Sequence, residues 1–453
     1  MARAVDGVRF RLFPDWAENP AGTETIWLNL PPGMVGPGPS DPWMYVVDAI
    51  GKPPYSPPGF GPPYRGASRP PAMPDGDGHF DHIGLDDPAF GAAHLYGSVR
   101  FSLDVWEKYF GRELAWHAQT RHPRLELIPH VDWDNAQSGP GFLETGARQN
   151  SEGERQPYSL IFDVVAHEVG HTVLFSVVGL PSPQGLTSEF LAFHESMSDI
   201  AALVAMMHFK TVLGNVLGKT HGNLYVLNML NRFGILSGNE QLRICDNTAK
   251  MEDVAGLRLG PAGAWIDPTG RRRNAHDLAA PLTGGLFDLL VELFQDGLVA
   301  RGVLDESLDY RQWSRAAEEQ DFLRLADRFR DSFAAVEPLF HEALKEARDT
   351  LGFVLASAFD RLDPSSLTYA RFAGLLLECL GDELPEADVE ALADNFVWRG
   401  ILPEAQAATD ARRGLRPASA TFGARASALR RRDVGAVDAN DVHRLINHDH
   451  RSS

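Results

Sequence analysis

Apolar and polar positions change their period several times along the chain. Near the N-terminus, VRFRLF and TIWLNL alternate, and a period of two predicts short, half-buried strands. Residues 31–75 break every period: PPGMVGPGPSDP and GKPPYSPPGFGPPYRG carry too much proline and glycine for a helix or a central strand. A long loop or wrapping arm is expected there, with one short strand at WMYVV. From about Phe90 the pattern turns helical in FGAAHLYGSVRFSLDVWEKYFG, and residues 124–146 read as strands and turns. LIFDVVAHEVGHTVLFSVV is apolar on nearly every side, which predicts a buried central helix ended by Gly179, Pro181 and Pro183. Thr187 and Ser188 offer N-caps, with Glu189 in the first turn, for a second helix, EFLAFHESMSDIAALVAMMHF. Further helices are predicted over 202–235, 284–300, 311–360 and 365–398. No internal repeat is visible.

The central helix also carries chemistry. His167 and His171 are four residues apart, so on a helix both imidazoles leave one face. That spacing suits two ligands of one zinc ion, with bonds of about 2.0–2.1 Å. Glu168 stands one residue past the first histidine, where a carboxylate reaches a metal-held water without binding the metal. Zinc brings the pKa of such a water to about 7, and a carboxylate then takes its proton as it attacks a carbonyl. Three ionisable groups on an otherwise apolar helix are costly unless paired or metal-bound. No third histidine follows in the HExxHxxGxxH manner, because positions 174 and 177 are Leu174 and Val177. The next candidates are His194 and Glu195. Glu195 and Asp199 share a face of the second helix, which suits Glu195 as ligand and Asp199 as acceptor from a ligand imidazole N–H.

Composition narrows the field. A chain of 453 residues allows two or three packed units, and 44% hydrophobic residues supply an ample core. A net charge of -19 argues against nucleic acid or an anionic membrane as partner. Cys245 and Cys379 form neither a disulfide framework nor a metal-type pair, and reduced, buried thiols are expected. The first residues hold no apolar run of signal-peptide length, and no stretch approaches the ~20 apolar residues of a membrane span. The expectation is a cytoplasmic protein, or one exported without a recognisable N-terminal signal. GDGHFDHIGLDD admits a cation site or a polar turn, and its lack of calcium-loop spacing favours the turn.

DVVAHEVGH followed downstream by ESMSD resembles the thermolysin-like gluzincin metallopeptidases, whose pattern is HExxH with a later ExxxD. The resemblance runs over about residues 85–400. FGAAHLYGSVRFSLDVWEKYFGRE is similar to the family's Ala-His-Tyr-Tyr helix, and DNAQSGPGFLETG to its peptide-pairing Asn-Ala edge strand. GILSGNEQLRICDNTAKMEDV is similar to the stretch with a Leu-Arg pair, and FVLASAFDRLDPSSLTYARFAGLLLECLGD to the C-terminal helices. The resemblance implies an α+β fold: a β-rich N-terminal lobe, a helical C-terminal lobe and zinc in the cleft. The implied organisation is strands and arm over 1–84, β-rich lobe and HEVGH helix over 85–178, and helical lobe over 179–404. An insertion falls near 300–350, and a basic, loosely ordered tail over 405–453.

Carried over position by position, the resemblance implies His167, His171 and Glu195 as zinc ligands and Glu168 as general base. It implies Asp199 as acidic partner of the first histidine and His276 as stabiliser of the oxyanion. Arg243 matches the arginine that binds the carbonyl after the scissile bond; Leu242 and Val164 match the adjoining apolar pocket. Asn135 and Ala136 match the edge that pairs with bound peptide by strand addition. The sequence departs from the family at Gln137 and Ser138, where an aromatic pair is usual, and at His194, where asparagine is usual. Ser182 stands near the usual tyrosine, and Arg271 replaces an acid five before the oxyanion histidine, with Asp267 and Asp277 as candidate substitutes. Met206, Met207 and His208 replace calcium ligands, leaving Asp163 alone of that set, so structural calcium is not expected there.

The function expected is a zinc metalloendopeptidase that prefers an apolar residue after the cleaved bond and takes peptide or protein substrates. A catalytically weak zinc protein that binds peptides or partners is the alternative. An aminopeptidase of the same clan is disfavoured by the lack of a Gly-x-Met-Glu-Asn strand.

Overall fold

A computed structural model describes residues 7–403 apart from 17–18, 20–21, 58, 238–239, 261–263 and 306–318. The tail expected from 405 lies outside the described residues, as does part of the expected 300–350 insertion. The fold is α+β, in two compact units. One comprises Met1–Ser176, Ala201–Asn215 and Arg232–Ile244; the other Val177–Ile200, Val216–Asn231 and Cys245–Ser453.

In the first unit the alternating N-terminal runs form β1 (Val8–Leu12) and β2 (Glu24–Leu28), an antiparallel pair. WMYVV gives β3 (Met44–Val46), and the helical pattern gives α1 (Phe90–Phe110), closed by Gly111 in the left-handed region. The strands expected over 124–146 are β4 (Leu125–Ile128), β5 (Ala136–Gly139) and β6 (Phe142–Thr145). With β3 they make a four-stranded sheet in the order β3-β4-β6-β5, parallel except where β5 runs antiparallel to β6. β5 is therefore an edge strand. A hairpin of β7 (Ala147–Gln149) and β8 (Arg155–Pro157) follows.

The proline-rich arm covers one face of this sheet. Its Tyr55, with Phe60 and Tyr64 beside it, packs on Ile128, Val131 and Phe142. Within that contact Lys52 is wholly buried, its Nζ 2.5 Å from Glu144 Oε2 and 3.3 Å from the centre of the Tyr55 ring. Gln137 Nε2 donates to the other oxygen of Glu144 at 2.6 Å, and Tyr55 Oη donates to Glu126 at 2.5 Å. Burial pushes the Lys52 ammonium down and the Glu144 carboxyl up, and each opposes that shift in the other. GDGHFDHIGLDD opens in a polar turn: Asp75 Oδ1, just before it, accepts from the backbone N–H groups of Asp77 and His79.

The apolar HEVGH segment is α2 (Phe162–Val177), and Gly179 follows it at a φ of 90°. α3 spans Ser188–Met206, and Thr187 caps it by accepting from Phe190 N at 3.0 Å. The division between the units falls after Ser176, within α2, and after Ile200, within α3.

The helix expected over 202–235 does not run through that stretch. α4 covers only Lys210–Thr220, turns follow, and β9 (Arg232–Ser237) pairs with β10 (Glu240–Ile244). Asparagine side chains take the backbone groups that a helix needs. Asn228 Oδ1 accepts from Leu230 N and its Nδ2 donates to Leu224 O, while Asn231 Oδ1 accepts from Asn228 N.

Three two-residue strands, β11 (Arg258–Leu259), β12 (Trp265–Ile266) and β13 (Arg272–Arg273), lead into α5 (Ala275–Ala300). α5 starts before the predicted 284 because Asn274 and Asp277 form a capping box. α6 (Glu319–Arg361) is bent at Val336, just before Pro338. The helical stretch expected over 365–398 is α7 (Tyr369–Gly381) and α8 (Glu386–Trp398). In the second unit, buried Arg399 pairs with buried Asp288 at 2.5 Å and donates to the carbonyls of Asn247 and Ala249.

Among the described residues no single helix is long and apolar enough to cross a membrane.

Candidate metal centre

The four-residue spacing on α2 brings His167 and His171 together, with their Nε2 atoms 3.1 Å apart. Glu195, in the second turn of α3, joins them: one ligand atom from each of the three lies within 4.8 Å of the others. Among the described residues these three form the one group of histidine, cysteine and acidic side chains close enough to hold a metal ion. All are buried, His167 at 6% exposure, His171 at 3% and Glu195 at 1%.

This donor set fits zinc. Two imidazole nitrogens and a carboxylate are ligands of the kind that open zinc sites use. Tetrahedral bonds of about 2.05 Å place neighbouring ligand atoms roughly 3.3 Å apart, close to the observed separation of the two nitrogens. The cysteines do not compete. Both are buried, and burial raises both thiols, keeping them protonated.

Glu168 is buried on α2 between the two histidines. Asp199 is buried one turn beyond Glu195, and His194 is fully buried with its ring 4.8 Å from that of Phe190. His276, at the start of α5, comes to Glu195: its Nε2 is 3.3 Å from Glu195 Oε2. Its place follows from the Asn274–Asp277 capping box, which fixes where the helix begins.

Arg243 on β10 extends its Nη2 to 3.3 Å from His167 Nδ1. The hairpin that carries it is fastened to α2. Asp163 Oδ2 accepts from Gly234 N at 2.5 Å, in a burial that pushes the Asp163 carboxyl up. Gly234 has a φ of 60°, and a Cβ there would sit 2.5 Å from Leu242 Cδ1. Glycine at this position lets Leu242 lie flat against the opposing strand.

Val164 and Leu242 pack together with Ala136, Tyr158, Ile161 and Leu236. Trp16 joins the same cluster, which nothing in its local sequence announces because it reaches there from the segment after β1. Ala136 begins the edge strand β5, and the Asn135 Nδ2 preceding it is buried with no hydrogen-bond partner among the described residues. Gln137, where the resembled family has an aromatic residue, is turned inward to Glu144 and to the carbonyl of Tyr55. Of the positions matching calcium ligands, Met206 and Met207 are buried apolar side chains and His208 contacts Tyr109 Oη at 2.9 Å.

No family model matches the chain, and no curated protein matches it. Among solved structures it is similar to the precursor of protealysin, a metalloproteinase from Serratia proteamaculans, at 13% identity and a TM-score of 0.42. That match covers 79% of this chain and 86% of the other.

Proposed function

We propose that this chain is a zinc-dependent metalloendopeptidase of the thermolysin-like gluzincin type, with zinc in the cleft of a two-lobed fold. The observation that carries the reading is the convergence of His167, His171 and Glu195, all buried, with Glu168 on the same helix as the histidine pair. Zinc, when bound, supplies Lewis acidity, which polarises a peptide carbonyl and makes water acidic enough to attack it near neutral pH.

The rest is done by side chains. Glu168 takes the proton of the attacking water on its carboxylate and passes it to the leaving amine nitrogen. His276 donates from Nε2 to the oxygen that gains charge as the carbonyl carbon becomes tetrahedral. Arg243 donates to the substrate carbonyl beyond the scissile bond. Asp199 accepts from a ligand imidazole and so holds its ring in orientation, and His194, buried against Phe190, supports the turn of helix that presents Glu195. Asn135 and Ala136 pair with an extended peptide along the edge of β5, and the buried Asn135 Nδ2 is a donor suited to a peptide carbonyl. Val164 and Leu242 receive an apolar side chain after the cleaved bond. Asp163 positions Arg243 through Gly234 rather than serving a calcium ion.

The test is cleavage of a broad peptide library by the purified chain, before and after chelation, beside Glu168→Gln. Chelator-sensitive cleavage on the N-terminal side of apolar residues, lost in Glu168→Gln with zinc retained, is expected. Full activity in Glu168→Gln would refute the mechanism. One zinc per chain with no turnover on any peptide would favour a peptide-binding protein without catalysis.

A further inference from the structure

Trp16, Val164 and Leu242 are half-buried and stand on a buried floor of Ala136, Tyr158, Ile161 and Leu236. Val164 shares a helix face with His167, Glu168 and His171, being three, four and seven residues away. The apolar patch therefore adjoins the histidine pair along α2. Two of its three rim residues are the ones assigned above to the substrate pocket. The third, Trp16, belongs to the segment after β1.

Trp16 is held as a wall. Its Nε1 donates to Gln156 Oε1 on β8 at 2.7 Å. Its ring meets Phe13 edge-on, with centroids 4.7 Å apart. Phe13 is itself pinned: its backbone N–H donates to His94 Nε2 at 2.9 Å, and His94 Nδ1 lies 2.8 Å from Ser159 O, just ahead of α2. The indole N–H is satisfied from outside the patch, which leaves the carbon face to apolar contact.

We propose that Trp16 is a specificity-determining residue, its indole forming a third wall of the pocket that takes the apolar side chain after the scissile bond. This rests on the metallopeptidase reading above. Substrates with leucine or phenylalanine at that position cover the wall; those with alanine leave it bare. A single methylene in an apolar pocket changes selectivity by about 10–200-fold, so losing one wall of the pocket is readable in the leucine-to-alanine ratio.

The test uses two peptides that differ only in leucine or alanine after the cleaved bond, with the full zinc-loaded chain as wild type, Trp16→Ala and Trp16→Phe. The ratio of kcat/KM for the two peptides does not depend on the folded fraction of a preparation. It is expected to fall about tenfold in Trp16→Ala and to be largely kept in Trp16→Phe. A second readout needs no turnover: the ratio of calorimetric Kd values for the same peptides on Glu168→Gln and on Glu168→Gln with Trp16→Ala, expected to change by the same factor. Cleavage by the wild type with both ratios unchanged in Trp16→Ala overturns the wall and leaves the peptidase reading standing. A changed Kd ratio with no cleavage by the wild type supports the wall and overturns the peptidase. Neither binding nor cleavage overturns both.

Discussion

Lys52 and Glu144 lie 2.5 Å apart with neither side chain exposed, while His167 and His171 bring two ring nitrogens to 3.1 Å beside an almost equally buried glutamate. Both clusters bury ionisable groups, and both would be costly if left uncompensated. The first compensates itself. The Lys52 ammonium meets Glu144, whose other oxygen accepts from Gln137 Nε2 and Tyr55 N, while Glu126 accepts from Tyr45 and Tyr55. Donors and acceptors alternate, and the arm is bonded to the sheet by them. The second gathers Lewis-basic atoms of one kind, two imidazole nitrogens and a carboxylate oxygen, around one point. A closed network stabilises a particular packing; convergent bases form a site for a cation.

The contrast breaks most sharply under substitution. Glu168→Gln removes the proposed proton acceptor and keeps the three proposed ligands, so turnover should fall by about 10²–10⁴ while zinc content is unchanged, measured by peptide hydrolysis and metal analysis. Lys52→Met should do the reverse. It leaves Glu144 buried without its cation, at a cost of about 3–5 kcal/mol in chemical denaturation, with no loss of zinc. Adding Glu144→Leu to Lys52→Met should recover much of that loss, since an apolar pair of similar volume often replaces a buried ion pair without penalty.

His94 is buried and neutral, its pKa lowered by burial to about 4 from an ordinary 6.5. Between those values the unfolded chain binds a proton that the folded chain refuses. Stability from this group is therefore whole above about pH 6.5 and is lost as pH falls towards 4, by about 3 kcal/mol in all. Denaturation at pH 7 and pH 4.5 should show that loss in the wild type and a smaller one in His94→Asn. Protonation also removes the Nε2 lone pair that accepts from Phe13 N. The smallest effect is expected for Asp163→Leu, which strands the N–H of Gly234 at about 1–3 kcal/mol. If the bond positions Arg243, the KM for peptides should rise more than kcat falls.

Local features of the chain announced much of this. HEVGH is legible because four-residue spacing and an apolar surround admit few arrangements, and Glu195 because a short, proline-bounded loop returns the next helix. His276 was legible only through resemblance, its position depending on a helix start that Asn274 and Asp277 set. Residues 221–237 misled because VLNMLNRFGIL has helical apolar content, yet its asparagines bind the backbone groups a helix requires. The partners of Lys52 and the wall at Trp16 were invisible, since each depends on side chains far away in sequence. The arm could be read as a loop, but proline content says nothing about the sheet face it covers.

His167, His171 and Glu195 are proposed to bind the metal together. The most direct test is the zinc content of the purified wild type, Glu195→Ala and Lys52→Met after dialysis against trace-metal buffer. About one zinc per chain is expected in the wild type and in Lys52→Met, and close to none in Glu195→Ala. A full equivalent of zinc retained in Glu195→Ala would contradict it.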